Sequence, residues 1–163
     1  MGFKEDAGND PMDSDGKYVP SDIHFTETYR EMEEMVKKGK TKSIGLSNFN
    51  PKQVKEILDM CTIRPVCNQF EVNPNLHNNE WIDYCKKENI AVVAYAPLGA
   101  PDRMWLKEED PVPLKSEIVA KLAAKYGKSP AQVILRWLIQ RDVIIIPKSA
   151  NPTRLAENLN VQS

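Results

Sequence analysis

Polar side chains suited to holding a ligand stand where short apolar runs end. Ser47 and Asn48 follow Ile44-Gly45-Leu46. Asn68, Gln69 and Glu71 lie on or just after an apolar stretch that starts at Val66, and Tyr95 closes Ile90-Ala91-Val92-Val93-Ala94. Lys148 and Ser149 follow Ile146-Pro147. Amides and hydroxyls give directional hydrogen bonds, a tyrosine adds a stacking face, and a lysine adds a compact charge. If the runs are parallel strands, their carboxy ends open on one face and these groups converge there. Arg154 stands just inside a helix opened by Asn151-Pro152, where the helix dipole disfavours a cation. That mismatch points to a compensating anion.

Each residue also has an ordinary structural reading. Ser47-Asn48 can simply turn the chain into the next helix. Gln69 and Glu71 can form a structural network, and Tyr95 can be core with a satisfied hydroxyl. Lys148 and Arg154 can be solvated surface charges.

Other chemistries lack their residues. The seven glycines form neither GxGxxG nor GxxxxGK[ST]. There is no CxxC and no HExxH, and His24 and His77 stand far apart, so no metal site is expected. Cys61, Cys67 and Cys85 are odd in number and widely spaced, which argues against a disulfide framework and fits a reducing, cytoplasmic compartment. A net charge of −1 gives no global reason to expect a nucleic acid partner. No apolar run approaches the roughly 20 residues of a membrane span, and the amino terminus lacks a signal-peptide pattern.

The 163 residues, 41% of them hydrophobic, suffice for one domain with a core. Residues 1–22 are rich in Asp, Gly and Pro and read as an extended segment; 23–163 carry the folded pattern. Phe25, Tyr29, Met32 and Val36 form a helical stripe stopped by Gly39. Helices are also expected from Asn50-Pro51, near 79–88, from about Lys115 to Tyr126, from Ser129-Pro130 and from Asn151-Pro152. In the fifth of these six, Val133, Ile134, Trp137 and Leu138 should face inward. Strands should start near 43, 66, 90 and 143. The continuous apolarity of Ile90–Tyr95 predicts a strand covered on both faces. Alternating strands and helices mean a parallel α/β fold. Periodicity leaves open a small doubly wound sheet or half of a (β/α)8 barrel.

Four longer motifs carry a resemblance. They are Lys38-Gly39-Lys40-Thr41-Lys42-Ser43-Ile44-Gly45-Leu46-Ser47-Asn48-Phe49, Pro65-Val66-Cys67-Asn68-Gln69-Phe70-Glu71-Val72-Asn73-Pro74, Ala94-Tyr95-Ala96-Pro97-Leu98-Gly99, and Ile146-Pro147-Lys148-Ser149 followed by Arg154-Leu155-Ala156-Glu157-Asn158. In order and spacing they resemble the aldo-keto reductases from about Gly2 to Val161. The resemblance implies a partial (β/α)8 TIM barrel, roughly strands 5–8 with their helices. It implies an NADPH-dependent oxidoreductase that reduces aldehydes or ketones to alcohols, with a small carbonyl compound as substrate in the intact family.

Residue by residue, the resemblance implies a cofactor cleft. Ser47, Asn48 and Gln69 match positions that bind the nicotinamide carboxamide, and Tyr95 matches the aromatic that stacks on the ring. Leu98, Gly99 and Asp102 match the loop over the pyrophosphate. Lys148, Ser149, Asn151 and Arg154 match the 2′-phosphate pocket, which favours NADPH over NADH; Glu157 and Asn158 match adenine contacts. Trp105 lies on the cofactor-loop segment, within reach of the substrate mouth or as a rim anchor. Ala96 and Ala100 depart from the family, where Ser is common. No residue matches the family's Asp, Tyr, Lys and His quartet, so no catalytic residue is assigned and the chain alone is expected to be inactive. A truncated, non-catalytic cofactor-binding or interaction fragment is the alternative. A half barrel also leaves two unpaired strand edges, which invite self-association.

Overall fold

A computed structural model describes residues 12–19, 21–101, 103–104 and 107–161. Asp102 and Trp105 lie outside the described residues. The chain runs α1 (Phe25–Lys37), β1 (Leu46–Ser47), α2 (Pro51–Met60), β2 (Cys67–Glu71), α3 (Asn79–Lys87), β3 (Ala91–Tyr95), a 3-10 turn (Pro113–Lys115), α4 (Glu117–Tyr126), α5 (Pro130–Gln140), β4 (Ile144–Ile145) and α6 (Pro152–Leu159). It forms two compact units: Met1–Ile44 with Lys52–Pro65, and Gly45–Pro51 with Val66–Ser163.

In the first unit, α1 buries Tyr29 as its apolar stripe predicts. It also buries Glu33, which the stripe does not contain. The carboxylate is satisfied: Glu33 Oε1 accepts from the backbone N–H of Thr62 and of Ile63, both at 2.6 Å, and from Thr62 Oγ1 at 3.0 Å. Burial pushes the Glu33 carboxyl upward, but the N–H donors of Ile63 and Thr62, with the Thr62 hydroxyl, outweigh it and hold the carboxyl below its ordinary value. Tyr29 donates its hydroxyl to Ile63 O at 2.9 Å. Two side chains of α1 thus hold the 61–63 turn. The helix stops at Gly39, whose left-handed φ of 68° costs glycine little. Within the segment expected to be extended, Met12 and Tyr18 pair in an antiparallel bridge, and Asp13 Oδ1 accepts from the N–H groups of Asp15 and Lys17.

In the second unit, four parallel strands lie in the order β1-β2-β3-β4. Each strand after β1 neighbours its predecessor in the chain. A doubly wound sheet would reverse that order at a switch point, whereas a barrel wall keeps it. The alternatives left open by periodicity are therefore decided in favour of a partial (β/α)8 barrel. Leu46, Asn68, Phe70, Val92 and Ala94 are buried on one face. The buried residues of the packed helices include Ile82 and Cys85 of α3 and Ile134, Leu135 and Leu138 of α5.

Two expectations about burial need correction. Ile90–Tyr95 is not covered on both faces by the described residues: Val92 and Ala94 are buried, Val93 and Tyr95 are half-buried, and Ala91 is exposed. On α5 the inward residues include Leu135, while Val133 and Trp137 are only half-buried. The α5 cap is as expected. Ser129 Oγ accepts from Gln132 N–H at 3.3 Å, and Gln132 Oε1 accepts from Ser129 N–H at 3.0 Å.

Candidate functional site

The candidate residues fall into two groups in the second unit. The first group sits at the carboxy ends of β1, β2 and β3. Register pairs Ser47 with Gln69, Gln69 with Val93, and Glu71 with Tyr95. Residues paired across parallel strands project on the same face, so Ser47, Gln69, Glu71 and Tyr95 share the face opposite the buried Asn68 and Phe70. Asn48 has a left-handed φ of 59°, which asparagine tolerates better than most residues. Its N–H donates to Gln69 O at 2.8 Å. Tyr95 donates its hydroxyl to Asn48 Oδ1 at 3.1 Å, and Asn48 Nδ2 donates to Ser47 Oγ at 3.3 Å. Burial raises the Tyr95 phenol, and the nearby Glu71 charge raises it further, so it stays a neutral donor. Glu71 is itself fixed, accepting from Asn73 Nδ2 at 2.9 Å.

Asn68 positions this group from beneath. It is 0% exposed, donates through Nδ2 to Phe49 O at 2.8 Å and accepts through Oδ1 from Phe49 N–H at 3.5 Å. A buried amide bracketing the residue after Asn48 fixes the turn that presents Ser47 and Asn48. The signal for it in the sequence was a polar residue at an inward register of a strand.

The second group surrounds a cavity of about 580 Å³. Leu98, Lys148, Ser149, Arg154, Glu157 and Asn158 line it. Gly99 is buried between the lining residues Leu98 and Ala100, with a φ of 79°; a Cβ there would lie 2.7 Å from Pro113 Cδ, so the close approach requires glycine. Ile146 N–H donates to Ala94 O at 3.3 Å, which brings the segment leading to Lys148 beside the end of β3. Asn151 caps α6: its Oδ1 accepts from Arg154 N–H at 3.1 Å, and its own N–H donates to Ser149 Oγ at 3.2 Å. Lys148 and Arg154 are exposed, and Glu157 is the one acid in the cavity wall among the described residues. Two cations thus stand beside the amino end of a helix, an arrangement whose electrostatics favour an anion. Arg103 also lines this cavity; it lies between Asp102 and Trp105 on the segment that the resemblance gives to the cofactor loop, with no role of its own implied there.

Among the described residues no group of His, Cys, Asp and Glu is arranged to hold a metal ion. No described helix is long and apolar enough to cross a membrane.

The motif order on this scaffold has a counterpart in known proteins. Residues 11–163 match the Aldo/keto reductase family. This chain belongs to that family. It is 45% identical over 151 residues to aldo-keto reductase family 1 member A1 of Bos taurus, and 46% identical to that of Gallus gallus; each match covers 93% of this chain and 46% of the relative. Among solved structures it resembles the aldose reductase from Schistosoma japonicum, with a TM-score of 0.82 and 38% identity over 93% of this chain and 46% of that one. It also resembles a Bombyx mori aldo-keto reductase in complex with NADP, with a TM-score of 0.82 and 37% identity over 93% of this chain and 48% of that one. This aldo/keto reductase chain spans about half the length of the relatives it matches.

Proposed function

We propose that this chain holds NADPH, with the sheet-end group taking the nicotinamide and the cavity taking the phosphate-bearing remainder. The observation that carries the reading is the pairing of the two sites. A neutral hydrogen-bonding cluster at Ser47, Asn48, Gln69 and Tyr95 is joined through the end of β3 to a cavity bearing Lys148, Arg154 and the amino end of α6. The donor chemistry fits the group at both ends. Asn48 and Gln69 offer an amide's donors and acceptors to a carboxamide, and Tyr95 offers a ring face. Arg154 offers a planar fork and Lys148 a point charge to a 2′-phosphate, and Asn151 keeps the α6 terminus in shape.

Bound NADPH supplies a hydride for an aldehyde or ketone carbon. The work of this chain is orientation: a fixed carboxamide fixes which ring face is offered, and a fixed face shortens the search for a reactive geometry. No residue here matches the family's proton-donating quartet, so on this reading the chain binds the cofactor and does not by itself complete carbonyl reduction. Titrating NADPH into the 163-residue chain while following tryptophan fluorescence tests the reading. Saturable quenching supports it, and none up to millimolar cofactor rejects it.

A second reading adds self-association. The face bearing Val93 also bears Ile144, which is 53% exposed, and the nearby Val66 is 51% exposed. Exposed apolar strand residues favour pairing with another surface. A sedimentation profile that stays monomeric across a hundredfold concentration range would reject it.

A further inference from the structure

One element of the cavity rim is held by a side chain outside the four motifs, and its role rests on the NADPH binding proposed for this chain. Ala96, Gly99 and Ala100 have φ values of 44°, 79° and 44°. Two alanines in the left-handed region persist only where the surroundings hold them. The 96–99 turn closes through Gly99 N–H to Ala96 O at 2.8 Å, and a second turn closes through Asp110 N–H to Lys107 O at 3.1 Å. Arg103 joins the two. Its Nη1 donates to Gly99 O at 2.9 Å and its Nη2 to Asp110 Oδ2 at 3.0 Å. The same Oδ2 accepts from Lys107 N–H at 3.1 Å. The two side chains are half-buried, at 22% and 31% exposure. A rigid guanidinium fork can reach both acceptors at once; a single ammonium cannot reproduce that geometry.

We propose that Arg103 is a positioning residue that pins the Gly99 carbonyl to Asp110 and thereby sets how long the cavity retains NADPH. It acts through the rim backbone and is not a third cation for the phosphates. These two roles make opposite predictions at Asp110. Asp110→Asn keeps the Arg103 charge and removes an acid, so a phosphate-binding cation would release cofactor more slowly. A pin that has lost its anchor releases it faster.

The test is stopped-flow release of NADPH from the full 163-residue chain, comparing the unaltered protein with Asp110→Asn, Arg103→Lys and the double variant. Each single variant is expected to speed release roughly fivefold or more, with the double no faster than either single. Arg103→Lys keeps the charge, so failure to restore slow release separates geometry from electrostatics. Circular dichroism identifies a variant that has lost its fold, and the other single variant then carries the comparison. Unchanged or slower release from Asp110→Asn, with normal binding by the unaltered chain, overturns the pin alone. Absence of NADPH binding by the unaltered chain overturns the cofactor reading and this role with it.

Discussion

The Tyr95 hydroxyl donates to Asn48 Oδ1 at 3.1 Å, joining the end of β3 to the turn after β1 across the intervening β2. The bond ties a ring that can stack to an amide that can hydrogen-bond, so the two act as one surface. Tyr95→Phe keeps the ring and removes the tie. NADPH affinity should fall by about twofold to tenfold, the worth of one neutral hydrogen bond. Tyr95→Ala removes the ring as well and should cost more. Equilibrium titration by tryptophan fluorescence measures both, and equal affinities for the Phe and Ala variants would show that the ring face contributes nothing.

The anion wall predicts discrimination between cofactors. Arg154 is exposed and its side chain does not form the α6 cap, so Arg154→Met should leave the helix intact. Loss of a hydrogen bond to a charged phosphate should weaken NADPH by about 1.5–3 kcal/mol and leave NADH nearly unchanged. Titrations with both cofactors at two salt concentrations check this. A parallel loss for NADH would move Arg154 away from the 2′-phosphate.

Gly99 is predicted to be intolerant of a side chain. Gly99→Ala places a Cβ in a left-handed conformation against the Pro113 ring. The strain should lower stability by about 1–3 kcal/mol and lower the melting temperature. A melting temperature equal to that of the unaltered chain would show that the rim relaxes freely.

Glu33 makes stability depend on acid. Its folded carboxyl lies below the ordinary value, so the unfolded chain takes up the proton first as pH falls. The stabilisation is complete above the ordinary glutamate range, and it is lost as pH drops through the lowered folded value. Glu33→Gln should cost roughly 1–3 kcal/mol near neutral pH, because the Thr62 and Ile63 N–H groups lose a charged acceptor. The difference between the two proteins should shrink toward low pH. Urea unfolding at a series of pH values reads it, and a constant difference would reject the assignment.

Helix starts and strand positions are readable in the sequence because local chemistry sets them. Ser129-Pro130-Ala131-Gln132 encodes its cap within four residues, and the structure forms both bonds of it. Strand order and burial are not readable, since both depend on distant partners. The apolar run ending in Tyr95 reads as covered on both faces because its residues are uniformly apolar, yet only Val92 and Ala94 among Ala91–Tyr95 are buried. Asn68 reads only as one of several polar residues near a strand end, and its hold on Phe49 depends on strand alternation that turns it away from Gln69. Arg103 and Glu33 escape detection for a related reason. Glu33 finds its partners about thirty residues on, at Thr62 and Ile63, and Arg103 finds Gly99 and Asp110 across loop turns that no helical or strand period marks.

The sequential order of the strands bears on how the chain is made. Each strand after β1 leaves the ribosome with a hydrogen-bonding neighbour already synthesised, and no later strand is inserted between two earlier ones. The Asn68 bracket forms with the second strand, the Tyr95 tie to Asn48 with the third, and the Arg154 wall last. Synthesis therefore supplies the residues of the sheet-end group before those of the cavity that follows β4, in a single pass along the polypeptide.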